Sequence, residues 1–432
     1  MAFELVGLLG IAVMLLLIAL RVPVAIAMIV VAVCGYSFIV TPDAALARLG
    51  ADAFRGASMY SLSVIPFFIF MGMLLANAGL GRDAYLSLDR FLWRVKGGLA
   101  VATIGASTMF AAVSGSSVAS ASTMSRVAVP QMRRHGYDDG LSAASAAVGG
   151  TLGALIPPSA LLVLYGVLTQ EPIGQVLIAG FVPGVLTAML LMTTAYLLVR
   201  RRPGLAPANT ERPGVTVIGA IRRVWPVPVI FAISMGGLYF GFFTPTESGV
   251  AGAFLALMYG LLTRRLNRSA LGASVNETIT VTAQIFLLMI AGQMFGFFLA
   301  VTRIPMWLGQ TVGEIDLTPW LIVGIIFLIY LALGAIMDEI AILVIMTPMM
   351  YPIIIDLGYD GVWFGVVTIM MLLTGLLTPP IGLITFVVSG LTGISLGKVF
   401  RGLVPFWLTL CVAIAVVIAF PALATWLPSA MR

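Results

Sequence analysis

The sequence predicts an all-α polytopic membrane protein, and three observations carry that prediction: composition, a train of long apolar runs, and an internal repeat. Of 432 residues, 61% are hydrophobic and 9% charged, and the mean hydropathy is +1.11. Soluble domains carry about a quarter charged residues, so lipid is the solvent that suits this chain. A run of about 20 apolar residues covers roughly 30 Å of hydrocarbon as a helix. Such runs follow one another here with little between them.

Full crossings are expected at 5–20, 23–40, 61–78, 141–169, 176–199, 227–243, 250–263, 278–301, 362–389 and 403–427. The first has no basic residue ahead of it and no small-residue cleavage site behind it, so it reads as a retained helix. Two other segments, 98–130 and 320–352, are apolar on both flanks but broken by Ser114-Gly115-Ser116-Ser117 and by Met337-Asp338-Glu339. A polar, helix-breaking middle marks a hairpin that enters the bilayer and returns on the same side. With both hairpins re-entrant and the N-terminus outside, only Arg48, Arg55, Arg303 and Arg432 of the 23 Lys and Arg residues are external. Arg126 falls within the first hairpin and the remainder, Arg133, Arg212 and Lys398 among them, are cytoplasmic. Cytoplasmic loops favour cations, and reading either hairpin as a single crossing would invert every later loop and lose the bias. The cationic excess thus orients the chain and does not imply nucleic acid.

A shift of 222 residues aligns Pro130 with Pro352, Gly136-Tyr137-Asp138 with Gly358-Tyr359-Asp360, Gly153 with Gly375, and Pro157-Pro158 with Pro379-Pro380. Residues 1–215 and 216–432 therefore read as two copies of one unit, each with scaffold crossings, a hairpin and a broken helix (141–169 and 362–389). Five full crossings per copy is an odd number, which turns the second copy upside down. Broken helices meeting at a repeat interface are the architecture of alternating-access carriers.

A helix broken inside lipid frees backbone carbonyls that protein, water or an ion must satisfy. Sodium-like cations take hard oxygen ligands. The first copy offers Ser114, Gly115 and Ser116 at its tip, with Gly149, Gly150, Gly153, Pro157 and Pro158 in the facing break; ion ligation and close helix packing both fit these small residues. The second copy offers Asp338 and Glu339, with Thr374, Gly375, Leu377, Thr378, Pro379 and Pro380. The repeat places Asp338 at the position of Ser116, which makes Asp338 the leading ionisable candidate. Ser117, Arg126 and Thr378 are candidate substrate contacts; Arg126 can alternatively extend to the cytoplasmic headgroups. Residues 81–97 mix basic and apolar side chains at helical spacing and predict an interfacial helix, with 304–308 as its inverted counterpart.

Enzymatic classes are excluded by what the motifs lack. Cys34 and Cys411 lie in apolar runs without metal or disulfide spacing, and His135 sits in a basic turn. There is no HExxH helix, Walker loop or paired-aspartate protease pattern, so neither a cofactor nor a catalytic residue is expected.

Ile65-Pro66-Phe67-Phe68, Ser114 to Ala119 leading to Pro130-Gln131-Met132 and Gly136-Tyr137, Ile156-Pro157-Pro158-Ser159, and Thr374-Gly375 with Thr378-Pro379-Pro380-Ile381-Gly382 resemble the large membrane subunit of tripartite ATP-independent periplasmic (TRAP) transporters, over nearly the whole chain. The resemblance implies an elevator-type carrier of the ion-transporter superfamily in a bacterial inner membrane, coupled to sodium ions and importing small organic acids such as C4-dicarboxylates or sugar acids. It implies two partners besides lipid: a soluble periplasmic substrate-binding protein and a small four-helix membrane subunit, here expected as a separate polypeptide. Carried over by motif, one sodium site falls at Ser114, Ser116, Gly153, Pro157 and Pro158, and the other at Gly334, Asp338, Thr374, Gly375 and Leu377. Arg126 departs from the smaller residue expected at its position. The competing expectation is a self-sufficient sodium- or proton-coupled anion carrier of the same superfamily.

Overall fold

The computed structural model describes residues 2–207, 214–307, 310 and 318–431; Arg212, Leu308 and Arg432 of the sequence reading lie outside them. In the first half, α1 (Ala2–Ala19), α2 (Val24–Ile39) and α3 (Pro42–Ser58) lead to α4 (Val64–Asn77) and α5 (Leu80–Leu92). The first hairpin is α6 (Gly98–Ser114) with α7 (Ser117–Arg134), and the first broken span is α8 (Asp139–Thr151) with α9 (Ala160–Thr169). Then come α10 (Ile173–Ala179) and α11 (Phe181–Arg201). In the second half, α12 (Val217–Val224), α13 (Pro226–Tyr239), α14 (Pro245–Leu262) and α15 (Arg268–Val301) precede a second hairpin of α16 (Pro319–Gly334) and α17 (Glu339–Asp356). The second broken span is α18 (Gly361–Gly375) with α19 (Leu383–Thr392), followed by α20 (Leu396–Ala419) and α21 (Ala422–Ser429).

The 222-residue shift carries the first and last residues of α7 onto those of α17, and brings α2 onto α14 and α1 onto α13 within about two residues at each end. The repeated Gly-Tyr-Asp motif explains how. Gly136 and Gly358 adopt φ of +73° and +80° after the helices end. Gly136 N–H donates to the Arg133 carbonyl and Tyr137 N–H to that of Met132; Gly358 and Tyr359 do the same toward Ile355 and Ile354. These are the paired bonds of a glycine-terminated helix. Asp138 and Asp360 then cap the next helix, accepting from Leu141 N–H and Trp363 N–H. Three residues thus encode a helix stop and a helix start, which is why they remain similar between copies that have otherwise diverged.

Packing divides the helices into a frame and a core. In the frame α2 packs on α1, α3 and α15, and α4 on α14 and α15; in the core α7 and α6 pack on α8, and α16 and α17 on α18. The copies interlock: α9 packs on α17 of the second hairpin, and α19 on α7 of the first. Frame meets core where α4 touches α6 and α15 touches α17.

Six helical stretches among the described residues are long and apolar enough to cross a membrane, the second hairpin's α17 among them; shorter apolar helices include the first arm of each hairpin and the broken halves α9, α18 and α19. Large side chains such as Phe38, Phe54, Phe242 and Leu262 are more than three-quarters exposed, as lipid-facing residues are. Contacts between loops respect the predicted sidedness. Asp83 pairs with Arg265, and Asp139 with Arg133 and Lys398, all assigned to the cytoplasm.

Four local expectations are revised. Helix α3 was not foreseen; its amphipathic sequence is started by the Thr41 hydroxyl, which accepts from Ala44 N–H, with Pro42 at the first helical position. The span 403–427 is two helices, since α20 ends at Ala419 and Pro421 precedes α21. Helix α15 has 34 residues and begins ten before the predicted crossing, so at about 1.5 Å per residue it is roughly 50 Å long. The predicted interfacial helix is α5, held between α6 and α12 with Tyr85, Ser87 and Arg90 buried, so it is covered by protein on that face rather than lying only on lipid.

Candidate functional site

The two hairpin tips meet. Ser117 and Glu339, equivalent positions in the repeat, are hydrogen-bonded to each other: Ser117 Oγ donates to Glu339 Oε2 at 2.8 Å. Two copies related by a pseudo-twofold axis bring equivalent residues into contact only close to that axis, so this pair marks the centre of the molecule. The residues just before them have equivalent roles as well. Ser116 Oγ accepts from Ala119 N–H at the start of α7, and Asp338 Oδ1 accepts from Ile340 N–H and Ala341 N–H at the start of α17. A serine and an aspartate are both strong N-caps, but the aspartate adds a negative charge.

Each tip rests on the break of its own broken span through glycine. Gly115 has φ +60°, and a Cβ there would lie 2.7 Å from the Pro158 carbonyl oxygen. A Cβ on Gly153 would lie 2.7 Å from the Ser116 carbonyl oxygen and 3.0 Å from Ser120 Oγ. In the second copy a Cβ on Gly334 would be 2.7 Å from the Cα of Gly375, and Gly382 N–H donates to the Ala335 carbonyl. These positions admit no side chain because backbone approaches backbone. Both breaks contain a cis Pro-Pro bond, 157–158 and 379–380.

The predicted residues separate into groups. Ser114, Ser116 and Pro158 line one small cavity of about 60 Å³ together with Glu339, and Gly153 adjoins them through the Ser116 carbonyl. Pro157 instead borders an apolar pocket with Ile178, Phe181 and Phe231. Asp338 lines an open cavity of about 480 Å³ between the tips and the frame. Gly334 and Gly375 touch; Thr374 and Leu377 are buried beside them, the Thr374 hydroxyl donating to the Met370 carbonyl. Thr378 Oγ1 donates to the Thr374 carbonyl and accepts from Trp407 Nε1. Arg126 joins neither group: it is exposed in a separate cavity with Arg133, Leu391 and Thr392. Nine residues along α7, it lies about 14 Å from Ser117.

Several site residues escaped the sequence reading. Ser120 Oγ lies 2.7 Å from Ser114 Oγ, and the signal was its position one turn after Ser116. Asn276, Glu277, Thr280 and Gln284 on α15 line the 480 Å³ cavity opposite Ser116, Asp338 and Glu339. Their spacing forms a polar stripe along α15, and half of it, Asn276 and Glu277, precedes the apolar run that marks the crossing from residue 278. Asn77 and Glu247, polar residues near the ends of apolar runs, have structural roles. Asn77 Nδ2 donates to Ser274 Oγ, and Glu247 completes a capping box with Thr244.

The chemistry available is therefore directional. Helices α6, α8, α16 and α18 end at the centre, where last-turn carbonyls lack intrahelical partners, and α7, α9, α17 and α19 begin there with N–H groups and a partial positive charge. Serine hydroxyls, carbonyls and a carboxylate form an oxygen-rich surround that fits a small hard cation, while helix N-termini fit an anion.

A chain of interlocked broken helices with an oxygen-lined centre is a membrane permease built for secondary transport and not an enzyme. It belongs to the TRAP transporter family: residues 11–423 match the family "Tripartite ATP-independent periplasmic transporter, DctM component". It is 31% identical over 392 residues to the C4-dicarboxylate TRAP transporter large permease protein DctM of Pseudomonas aeruginosa, covering 90% of this chain and 91% of that one. It is 30% identical over 375 residues to the sialic acid TRAP transporter large permease protein SiaM of Vibrio cholerae, covering 86% and 87%. Among solved structures, the YdaH transporter of Alcanivorax borkumensis matches in fold, with a TM-score of 0.62, 16% identity, and coverage of 89% of this chain and 88% of that one. The chain is accordingly a multi-pass inner-membrane large permease of a tripartite system, which associates with a small membrane subunit and a periplasmic binding protein.

Proposed function

We propose that this permease imports a small organic acid, of the C4-dicarboxylate or sugar-acid class, by sodium-coupled symport, accepting it from the binding protein. One observation carries the reading. The cavity between tips and frame is lined by Glu277, Asp338 and Glu339, and by no Lys or Arg among the described residues. An anion entering a space bordered by carboxylates is repelled unless cations enter with it. Sodium ions bound at Ser114, Ser116, Gly153, Pro157 and Pro158, and at Gly334, Asp338, Thr374, Gly375 and Leu377, would reverse the local charge. Helix N-termini at Ser117 and Glu339 would then face the carboxylate. Alternating access follows if the core slides against the frame along the α4–α6 and α15–α17 contacts.

The test is reconstitution into liposomes with the small subunit and binding protein, measuring uptake of labelled organic acids with and without an inward sodium gradient. Gradient-dependent uptake that requires the binding protein is the expected result. Uptake indifferent to sodium overturns the coupling, and uptake without the binding protein favours the self-sufficient carrier.

A further inference from the structure

At the predicted cytoplasmic end of the core, far from the hairpin tips, three helix ends enclose a notch of about 290 Å³. Its walls are the last turn of α11 with Arg202, the first turn of α8 with Asp138, and the first turns of α20 with Lys398 and Arg401. The floor exists because α8 and α20 touch at glycine: a Cβ on Gly402 would lie 2.3 Å from the Gly140 carbonyl oxygen. The rim is tied by Asp138 N–H, which donates to the Leu205 carbonyl.

The charges in the notch are unevenly satisfied. Lys398 reaches Asp139 at 3.7 Å, and the Asp138 carboxylate caps α8 through Leu141 N–H. The guanidinium groups of Arg202 and Arg401 have no ion pair and no hydrogen bond among the described residues, Arg202 bonding to Leu198 and Leu205 through its backbone alone. Guanidinium groups match the oxygens of a phosphate in bidentate geometry. Below them the notch turns apolar, with Leu198 and Pro405. The outward faces of the same helices continue with Leu197, Val404, Leu408 and Val412, each two-fifths exposed or more. A phosphate-sized cationic pocket opening onto an apolar track between two helices is the geometry of an anionic lipid site.

We propose that this notch binds a phosphate monoanion or diester through Arg202 and Arg401, with the headgroup of an anionic phospholipid as its source and the acyl chains lying along α11 and α20. The proposal is independent of which solute the permease carries.

Native mass spectrometry of the full-length chain, delipidated in detergent, tests it with three probes: phosphatidylglycerol, phosphatidylcholine and water-soluble glycerol phosphate. Phosphatidylglycerol is expected to be retained, phosphatidylcholine not, and the Arg202→Ala/Arg401→Ala variant should bind at least about tenfold more weakly. Arg201→Ala, which removes an exposed cation outside the notch, should bind as the parent does and so separates the pocket from general surface charge. Both notch arginines are exposed, so the double variant should keep the parent's unfolding temperature without lipid, which verifies its fold. Retention of glycerol phosphate with equal affinity would leave the phosphate site standing but overturn the lipid as its source. Equal retention of phosphatidylcholine, or undiminished phosphatidylglycerol binding by the double variant, would overturn the site itself.

Discussion

At the scale of single residues, Asp338 combines two roles that substitution can separate. Its carboxylate caps α17, and under the proposed mechanism it also ligates sodium. Asp338→Ala removes both, with a capping loss of about 1 kcal/mol. Asp338→Ser retains a cap, as the equivalent Ser116 shows, and removes the charge. We expect Asp338→Ser to keep the parent's unfolding temperature within a few degrees while sodium-driven uptake falls at least about tenfold; unchanged uptake with an unchanged sodium requirement would rule out ligation by this residue. Ser117 is a second test. Its hydroxyl is the donor to Glu339, and a half-buried carboxylate that loses its donor gives up about 1 kcal/mol of net hydrogen-bond energy. Ser117→Ala should therefore destabilise the protein in thermal unfolding, and Ser117→Thr should recover most of the loss.

At the scale of elements, the broken spans depend on glycine where backbone meets backbone. Gly334→Ala and Gly153→Ala each place a methyl within 2.7 Å of main-chain atoms, so the tip and the break must separate. Overpacking of this kind costs about 1–3 kcal/mol, and we expect lower unfolding temperatures together with lost uptake. Gly236→Ala is the matching control, since a Cβ there meets nothing within 4 Å. A second element-level feature is the junction of α7, α8 and α20, where Asp139 accepts from Arg133 Nε at 2.7 Å and Lys398 lies nearby, while Arg133 Nη1 donates to the Thr392 carbonyl. The Arg133 hydrogen bond, above all, holds the Asp139 carboxyl below its ordinary value against partial desolvation, with the charges of Arg133 and Lys398 adding to it. A depressed carboxylate contributes stability above its unfolded-state pKa and loses it as pH falls through the folded value. Asp139→Asn should thus lower the unfolding temperature slightly at neutral pH, by an amount corresponding to less than about 1 kcal/mol for so exposed a pair. The difference from the parent should vanish in acid below the ordinary carboxylate range.

At the scale of the whole molecule, frame and core meet along few surfaces, and transport by relative sliding predicts that fastening them stops uptake. Val281 on α15 and Ile340 on α17 line both central cavities. In a background with Cys34 and Cys411 replaced by serine, Val281→Cys with Ile340→Cys joined by a short thiol cross-linker should abolish uptake, and a cleavable linker should restore it on reduction. Full uptake by the linked protein would exclude motion at this contact.

The arm leading to the hairpins is not equal in the two copies. In the first it is jointed between α3 and α4 by a 3-10 turn, Tyr60–Ser63, whereas the second runs unbroken through α15. Repetition in sequence therefore does not force repetition in shape.

Much of this architecture was legible in one dimension. Lipid as solvent followed from hydropathy, and the hairpins followed from polar interruptions in apolar flanks. The 222-residue repeat survived at turns because Gly136, Asp138 and their partners satisfy backbone requirements that no other residues meet as well. What the chain order could not reveal is which distant surfaces meet. The Ser117 contact with Glu339 joins residues half a chain apart, and the polar stripe of α15 gains meaning only from the cavity it faces. The separation of Arg126 from the tips likewise emerges only when α7 has a length and a direction. Local hydrogen bonding and solvation are written into neighbouring residues, so sequence alone determined the class, the breaks and the caps; long-range packing depends on the simultaneous fit of many helices, so only the tertiary structure decided which of those pieces form the site.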